Sequence, residues 1–377
     1  MDTEVLILGA GPAGYHAAKA AAKRKTRVVL TGAEPYLPYW RPRLPEVVST
    51  GAEIGSIHMS EEVWFRDNGI QCRISSPAAA IDPDAKTVRW EDGTATEYGS
   101  LILACGANPT VPSLPFADRV YTLRTYQDAM EIRRACSQRK KAFIVGGGVL
   151  GLEAAFALTK LDCRVSVSIN SYLLSRQLDP QGGDFLQALL EKAGVHICAG
   201  APEKFPEETE GACVIAATGV RPSLSLAQSC GIATNRGILV NEKMQTNIPG
   251  IYACGDVAEF NGAVPGLMAI AAKQGETAGI NAAGGDADYQ VIVPSPLLKV
   301  AGISVLSVGS MQISEDARIY RRVSGGEYAA AVVTGGRLTG AAFIGNTSRG
   351  SRFKACIESG RELGAASSFE ELEAQIG

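Results

Sequence analysis

The sequence predicts an α/β chain in which one strand–turn–helix–strand unit with a buried parallel sheet occurs twice, followed by a small α+β segment. Three observations predict it. Residues 4–31 read EVLILG, then GPAGYHAAKAAAKRK, then TRVVLT; residues 141–169, KAFIVGGGVLGLEAAFALTKLDCRVSVSI, repeat that pattern. From 291 to 377 the text changes to short alternating strands and a final pair of helices. The Val/Leu/Ile strands of both units are apolar on both faces, as a parallel sheet covered on both sides requires. At 377 residues the chain is also long for one hydrophobic core, so two or three domains are expected.

The first unit's helix is rich in alanine and ends in a basic turn that complements its dipole. Residues 60–69, SEEVWFRDNG, predict a short helix with a serine N-cap, an acidic first turn and a C-terminal glycine. From 78 to 104 short strands surround an Asp92-Gly93 hairpin signal and end in YGSLILACG. Asp179-Pro180 reads as N-cap and first helical position of a helix that closes at Lys192-Ala193-Gly194. An alanine-rich helix to about 283 comes after GIYACGDVAEF.

Composition narrows the function classes. The chain is 46% hydrophobic and 20% charged with a net charge of −3, which argues against non-specific binding to nucleic acid or an anionic membrane. No apolar run approaches the ~18–20 residues that span a bilayer. The N-terminal text enters a strand without the basic region and cleavage site of a signal peptide, so a cytoplasmic location is expected. Nine cysteines lie no closer than fifteen residues apart, so there is no CxxC pair for redox work or metal, and reduced buried thiols are expected.

The chemistry lies in the glycines. Gly9-Ala10-Gly11-Pro12-Ala13-Gly14 follows a strand and opens a helix, with Glu34 twenty residues beyond Gly14. The first glycine makes a tight turn, the second lets backbone approach a pyrophosphate, and the third permits close helix–strand contact. An acid after the second strand can accept both ribose hydroxyls. Gly146-Gly147-Gly148-Val149-Leu150-Gly151 has the same context, but no acid follows its second strand; Ser168, Asn170, Ser171 and Tyr172 stand there, and Arg176 is the first basic residue. Without a basic cluster for a 2′-phosphate, NADH is expected over NADPH, which is not excluded. Two such units imply two nucleotide-binding folds. Ala104-Cys105-Gly106-Ala107, Ala217-Thr218-Gly219 and Cys254-Gly255-Asp256 each end a short apolar strand, where small residues let backbone come close to a bound dinucleotide.

The order GAGPAG, LILACGANP, GGGVLGLE, AATGVRP and GIYACGDVAEF resembles the pyridine-nucleotide-dependent flavoprotein oxidoreductases along the whole chain. The resemblance implies two Rossmann-like dinucleotide-binding domains, the second inserted in the first: FAD in 1–107 and 240–290, NAD(P)H in 108–239, and a small α+β C-terminal domain over 291–377. It implies FAD contacts from Gly9, Gly11, Pro12, Ala13, Gly14, Glu34, Arg41, Pro42, Cys105, Gly106 and Asp256. It implies nucleotide contacts from Gly146, Gly148, Leu150, Gly151 and Gly219. Glu153 is implied near where nicotinamide meets flavin, and Lys273-Gln274 beside the flavin ring. Glu153 and Lys273 are thus the candidates for tuning the reaction, with Lys299 an alternative lysine.

The loop 35–50, PYLPYWRPRLPEVVST, has none of the cysteines that the thiol-dependent branches place there. It is similar to the RP-containing loop of the branch that passes electrons to small iron proteins, where the arginine matched by Arg41 meets the FAD pyrophosphate. Ferredoxin reductases continue with a lysine where this chain has Glu46. RPRLPE, RQLD at 176–179 and PSPLLKVAGIS at 294–304 are more similar to the NADH:rubredoxin oxidoreductase and nitrite reductase flavoprotein branch. The implied activity is hydride transfer from NAD(P)H to FAD and single-electron delivery to a small iron protein such as rubredoxin, with no metal site of its own. An acidic carrier would dock on Arg41 and Arg43, on Arg349, Arg352 and Lys354, or on Arg318, Arg321 and Arg322. The alternatives are an NAD(P)H oxidase, a nitrite-reductase-type flavoprotein, or a flavin-containing protein whose partner contacts depend on redox state. A monomer is expected.

Overall fold

A computed structural model describes residues 4–114, 119–264 and 266–377; the first three residues of the opening segment lie outside the described residues. Contacts group the chain into two compact units, one of residues 1–43, 52–108 and 220–292 and the other of 44–51, 109–219 and 293–377.

In the first unit, β1 (Glu4–Leu8), α1 (Pro12–Ala22) and β2 (Arg27–Thr31) form the expected strand–turn–helix–strand. A five-stranded parallel sheet runs in the order Ile251–Ala253, Ser100–Leu103, β1, β2, Ile70–Arg73. Val5 and Ile7 pack on one face of it and Leu6 and Leu8 on the other, and all four are buried. The alanines of α1 are short, so a second helix, Met268–Ala282, can lie close against them. A Cβ on Gly275 or Gly279 of that helix would stand 2.2 Å from the carbonyl oxygen of Ala13 or Ala17. Ala78–Asp82, Thr87–Trp90 and Ala95–Glu97 form an antiparallel sheet whose hairpin turns at Asp92-Gly93, Gly93 having φ +84°. The helix over 60–69 is present as Glu62–Asp67, but Ser60 does not cap it: Glu61 is the N-cap and the Ser60 hydroxyl hydrogen-bonds the Tyr15 hydroxyl at 2.8 Å.

The second unit repeats the scheme with β3 (Lys141–Val145), α2 (Val149–Thr159) and β4 (Arg164–Ile169) in a parallel sheet ordered Val195–Ala199, β4, β3, Cys213–Ala216, Val120–Thr122. The helix predicted after Asp179 is α3 (Pro180–Lys192), with proline in its first turn. Residues from 297 onward form a five-stranded antiparallel sheet, ordered Leu297–Val300, Ile303–Gly309, Arg337–Ile344, Glu327–Thr334, Arg318–Ser324. One face is covered by the helices Gly350–Ser359 and Phe369–Ile376 through Phe343, Phe353, Phe369 and Leu372. No helix among the described residues is long and apolar enough to cross a membrane.

Candidate functional site

Each glycine motif sits at the carboxyl end of its sheet, where open parallel sheets bind ligands. The two turns close in the same way: Gly9 N–H donates to Thr31 O and Gly146 N–H to Ser168 O, both at 2.9 Å. Gly9 has φ +121° and Gly146 φ +118°, conformations that favour glycine. A Cβ there would stand 2.1 Å from Ala104 O and 2.4 Å from Ala217 O, so the small turns after the neighbouring strands are what the first glycines pack against. A Cβ on Gly14 would stand 1.9 Å from Gly9 O, and on Gly151 2.0 Å from Gly146 O. The first and third glycines are therefore required by the chain itself.

The second glycines are different. Among the described residues, a Cβ on Gly11 would find no atom nearer than Arg41 Nε at 4.0 Å, and one on Gly148 would meet nothing within 4 Å. Neither has a positive φ. Packing among the described residues does not explain glycine at these two positions; a group approaching closely from outside the chain would. Each caps a helix N-terminus, where free N–H groups and the dipole favour an anion. Pro12, at the first helical position, lacks only an N–H that would have had no helical partner. The donor set therefore fits a dinucleotide pyrophosphate at both motifs. Leu150 is half-buried on the second of them, and Gly219 has φ +101° with open space beside it.

Around the first motif three side chains converge. Arg41 donates to Glu34 Oε1 at 2.6 Å and to the Tyr39 hydroxyl at 3.1 Å, and that hydroxyl donates to Glu34 Oε2 at 2.7 Å. Burial opposes the Arg41 charge, but Tyr39, Glu34 and Asp256 outweigh it and hold its pKa above the ordinary value. The proline-rich loop is strapped in place: Trp40 N–H donates to Ile57 O at 2.9 Å, Met59 N–H to Pro38 O at 2.8 Å, and Arg43 to Ser56 O at 2.6 Å. Pro42 lies exposed in the single 3-10 turn Arg41–Arg43. The turn bearing Asp256 is held by Gln274, whose Oε1 accepts from Gly255 N–H at 2.9 Å, and it abuts Ala13, 2.7 Å from where a Gly255 Cβ would stand. The neighbouring Lys273 makes an ion pair with Glu276 at 3.0 Å. Gln274 is thus the residue of the pair that builds the site; its only sequence signal is a polar side chain in the alanine-rich stretch.

Glu153 is half-buried on α2, and burial pushes its carboxyl up to about 7. All nine cysteines are free. Burial pushes Cys105, in the small turn beside Gly106, up to about 11, and Cys254 rises as well. Neither is an activated thiolate. Among the carboxyl-terminal basic residues, Arg321 is bonded to Asp179 at 2.7 Å, while Arg322, Arg349 and Arg352 all face Glu373 within 4.0 Å. Arg322 from one run of sequence and Arg349 and Arg352 from another thereby share one carboxylate.

The sequence matches the pyridine nucleotide-disulphide oxidoreductase family over residues 3–275 and the rubredoxin NAD+ reductase C-terminal domain over residues 294–361. It is 41% identical to an NADH-rubredoxin oxidoreductase of Clostridium acetobutylicum over 98% of both chains. The crystal structure of NADH:rubredoxin oxidoreductase from that organism superposes with a TM-score of 0.91, covering 98% of each chain. A Bacillus subtilis nitrite reductase [NAD(P)H] is 33% identical; the match takes in 98% of this chain and 49% of that one.

Proposed function

The chain belongs to the pyridine nucleotide-disulphide oxidoreductase family, and from that membership we propose its reaction: oxidation of NADH with delivery of electrons, through FAD, to a rubredoxin-like carrier. The observation that carries the cofactor assignment is the pair of second glycines, Gly11 and Gly148, which no contact among the described residues requires. The division into an FAD-binding part (1–107 and 240–290), a nucleotide-binding part (108–239) and a C-terminal part (291–377) belongs to this reading. So does a monomeric protein working in the cytoplasm.

FAD, when bound, supplies a centre that takes up an electron pair as hydride and releases electrons singly. The chain's part is to bind and orient. Gly11, Ala13 and Gly14 bring backbone N–H groups toward the pyrophosphate, while Gly9 makes the turn and Pro12 fixes the first helical position. Arg41 supplies a counter-charge, and Glu34 accepts from ribose hydroxyls. Cys105, Gly106 and Asp256 line the same face from the neighbouring strand ends. Gly146, Gly148, Leu150, Gly151 and Gly219 do the equivalent for NADH, where no acid or base fences the ribose. Glu153 holds a proton near neutral pH, and Lys273 is a weaker candidate because Glu276 already neutralises it. No raised-pKa thiol is needed as a relay, consistent with a proline loop that carries arginine in place of cysteine.

An anaerobic titration tests the reading. NADH should bleach the flavin band stoichiometrically and NADPH should do so far more slowly; adding oxidised rubredoxin should then restore the band rapidly. Reoxidation in air as fast as by rubredoxin would instead assign an oxidase.

A further inference from the structure

Asp179 fulfils its predicted place at the start of α3 but not its predicted role. Its side chain makes no capping bond; it is fully buried and accepts from Arg321 Nε at 2.7 Å and from the Tyr328 hydroxyl at 2.6 Å. Both donors lie on the C-terminal sheet, where the register of Val323 opposite Tyr328 puts Arg321 and Tyr328 on one face. The first turn of α3 then contains two adjacent glycines, which cost a helix about 1 kcal/mol each relative to alanine. The structure gives a separate reason for each. A Cβ on Gly182 would stand 2.9 Å from the Tyr328 ring, and a Cβ on Gly183 would stand 2.7 Å from the Tyr172 ring and 3.1 Å from Leu173 O. The start of α3 is therefore squeezed between the C-terminal sheet on one side and the loop 170–178 on the other.

That loop leaves the carboxyl end of β4, at the place where the first unit carries Glu34. It is anchored at one point on the motif itself, where Leu174, at φ +51°, donates its N–H to Gly147 O at 2.9 Å. Its downstream end is the buried Asp179. Leu173, Leu174 and Leu178 are all buried, so the loop has little freedom to move independently of these two anchors.

We propose that Tyr328 and Arg321 of the C-terminal sheet are positioning residues for the pyridine nucleotide, acting through Asp179 and the Gly182-Gly183 turn to set the loop 170–178 beside the second glycine motif. This rests on the reading that the second motif holds NADH. The C-terminal segment then governs nucleotide affinity, a role separate from any contact with an electron carrier.

The test uses the full-length flavoprotein in steady-state oxidation of NADH with ferricyanide as a one-electron acceptor. Tyr328→Phe keeps the ring and removes the O–H, leaving the buried carboxylate one bond short. KM for NADH should rise about fivefold, the equivalent of one hydrogen bond, while kcat and flavin content stay at the parent values. Gly182→Ala, which pushes on the Tyr328 ring, should shift KM in the same direction. A lower melting temperature with unchanged KM in both variants would reduce the cluster to a structural tie and overturn the proposal. Gly148→Val separates the underlying reading: if NADH still reduces that variant with the parent KM, the motif does not hold the nucleotide and the assignment beneath the proposal fails.

Discussion

The two glycine units close with the same hydrogen bond at the same length, yet the residues after their second strands differ in kind. Counting from the shared bond, Thr31 corresponds to Ser168, so Glu34 corresponds to Ser171. The first unit places there a carboxylate locked to Arg41 and Tyr39 and a loop strapped by three further bonds. The second places there exposed, uncharged Asn170 and Ser171. Charge-assisted bonds in a preorganised cradle suit a ligand that stays, whereas a neutral, open rim suits one that must leave every turnover. On the proposed assignment one scaffold would serve a resident cofactor and an exchanging substrate, the distinction lying in the few residues after the second strand.

The largest effects should come from the glycines and should separate positions rather than units. Gly14→Ala and Gly151→Ala put a Cβ within 2.0 Å of a backbone oxygen. Each should destabilise its unit by about 3 kcal/mol or more, measured by thermal or urea unfolding. Gly11→Val and Gly148→Val, where a Cβ finds room, should cost the apo-protein far less, about 1 kcal/mol at the helix N-cap. Gly11→Val should then purify without yellow colour, and Gly148→Val should be yellow but not reduced by NADH. If Gly11→Val and Gly148→Val lose the same ligand, the assignment of one motif to each ligand is wrong.

This contrast also marks what the sequence makes legible. Strand, turn and helix within each unit are local, and their apolar runs and glycine spacing are readable directly. The first glycines gain their reason only from Ala104 and Ala217, far along the chain, although the small-residue turns there hinted at it, whereas the third glycines meet the carbonyl oxygens of the first within their own motifs. Other features are non-local and left no trace. Asp179 reads as a cap because its partners lie 142 and 149 residues away. Ser60 reads as a cap because Tyr15 is 45 residues away. Arg322 and Arg349 belong to separate runs of sequence and meet only through Glu373.

The next effect in size concerns the first rim alone. Arg41→Ala removes the charge that pairs with Glu34 at 2.6 Å and, on the proposed reading, the counter-charge for the pyrophosphate. A hydrogen bond to a charged group is worth about 1.5–3 kcal/mol, so Kd for FAD should rise about 10- to 100-fold, read by flavin release on dilution. Reduction by NADH of whatever flavin stays bound should keep its rate. The second rim offers the converse change. Ser171→Asp installs an acid at the position matching Glu34, and should shift the NADH-to-NADPH preference about tenfold toward NADH. Ser171→Arg should shift it the other way, measured as the ratio of kcat/KM values.

The smallest effect lies in the two helices. Seven residues beyond the first glycine, α1 carries His16 where α2 carries Glu153, and burial drives both toward the neutral form. Burial, aided by Lys19, lowers the His16 pKa, so the unfolded chain binds more protons below about pH 6.5 and stability is lost as pH falls there. For Glu153 the sign reverses. Its carboxyl titrates at about 7 when folded and at the ordinary 4.5 when unfolded, so the folded chain holds the extra proton and stability falls as pH rises through that interval. At about 1.4 kcal/mol per unit, discounted for partial exposure, Glu153 accounts for roughly 1–2 kcal/mol. Glu153→Gln should therefore abolish the decline between pH 5 and 7 in urea unfolding, and His16→Gln should abolish the opposing rise. Of the two, only Glu153 changes charge in the folded chain between pH 6.5 and 8, so any change in the rate of NADH reduction over that range should vanish in Glu153→Gln and persist in His16→Gln. A rate profile that keeps its slope in Glu153→Gln would place the titrating group elsewhere.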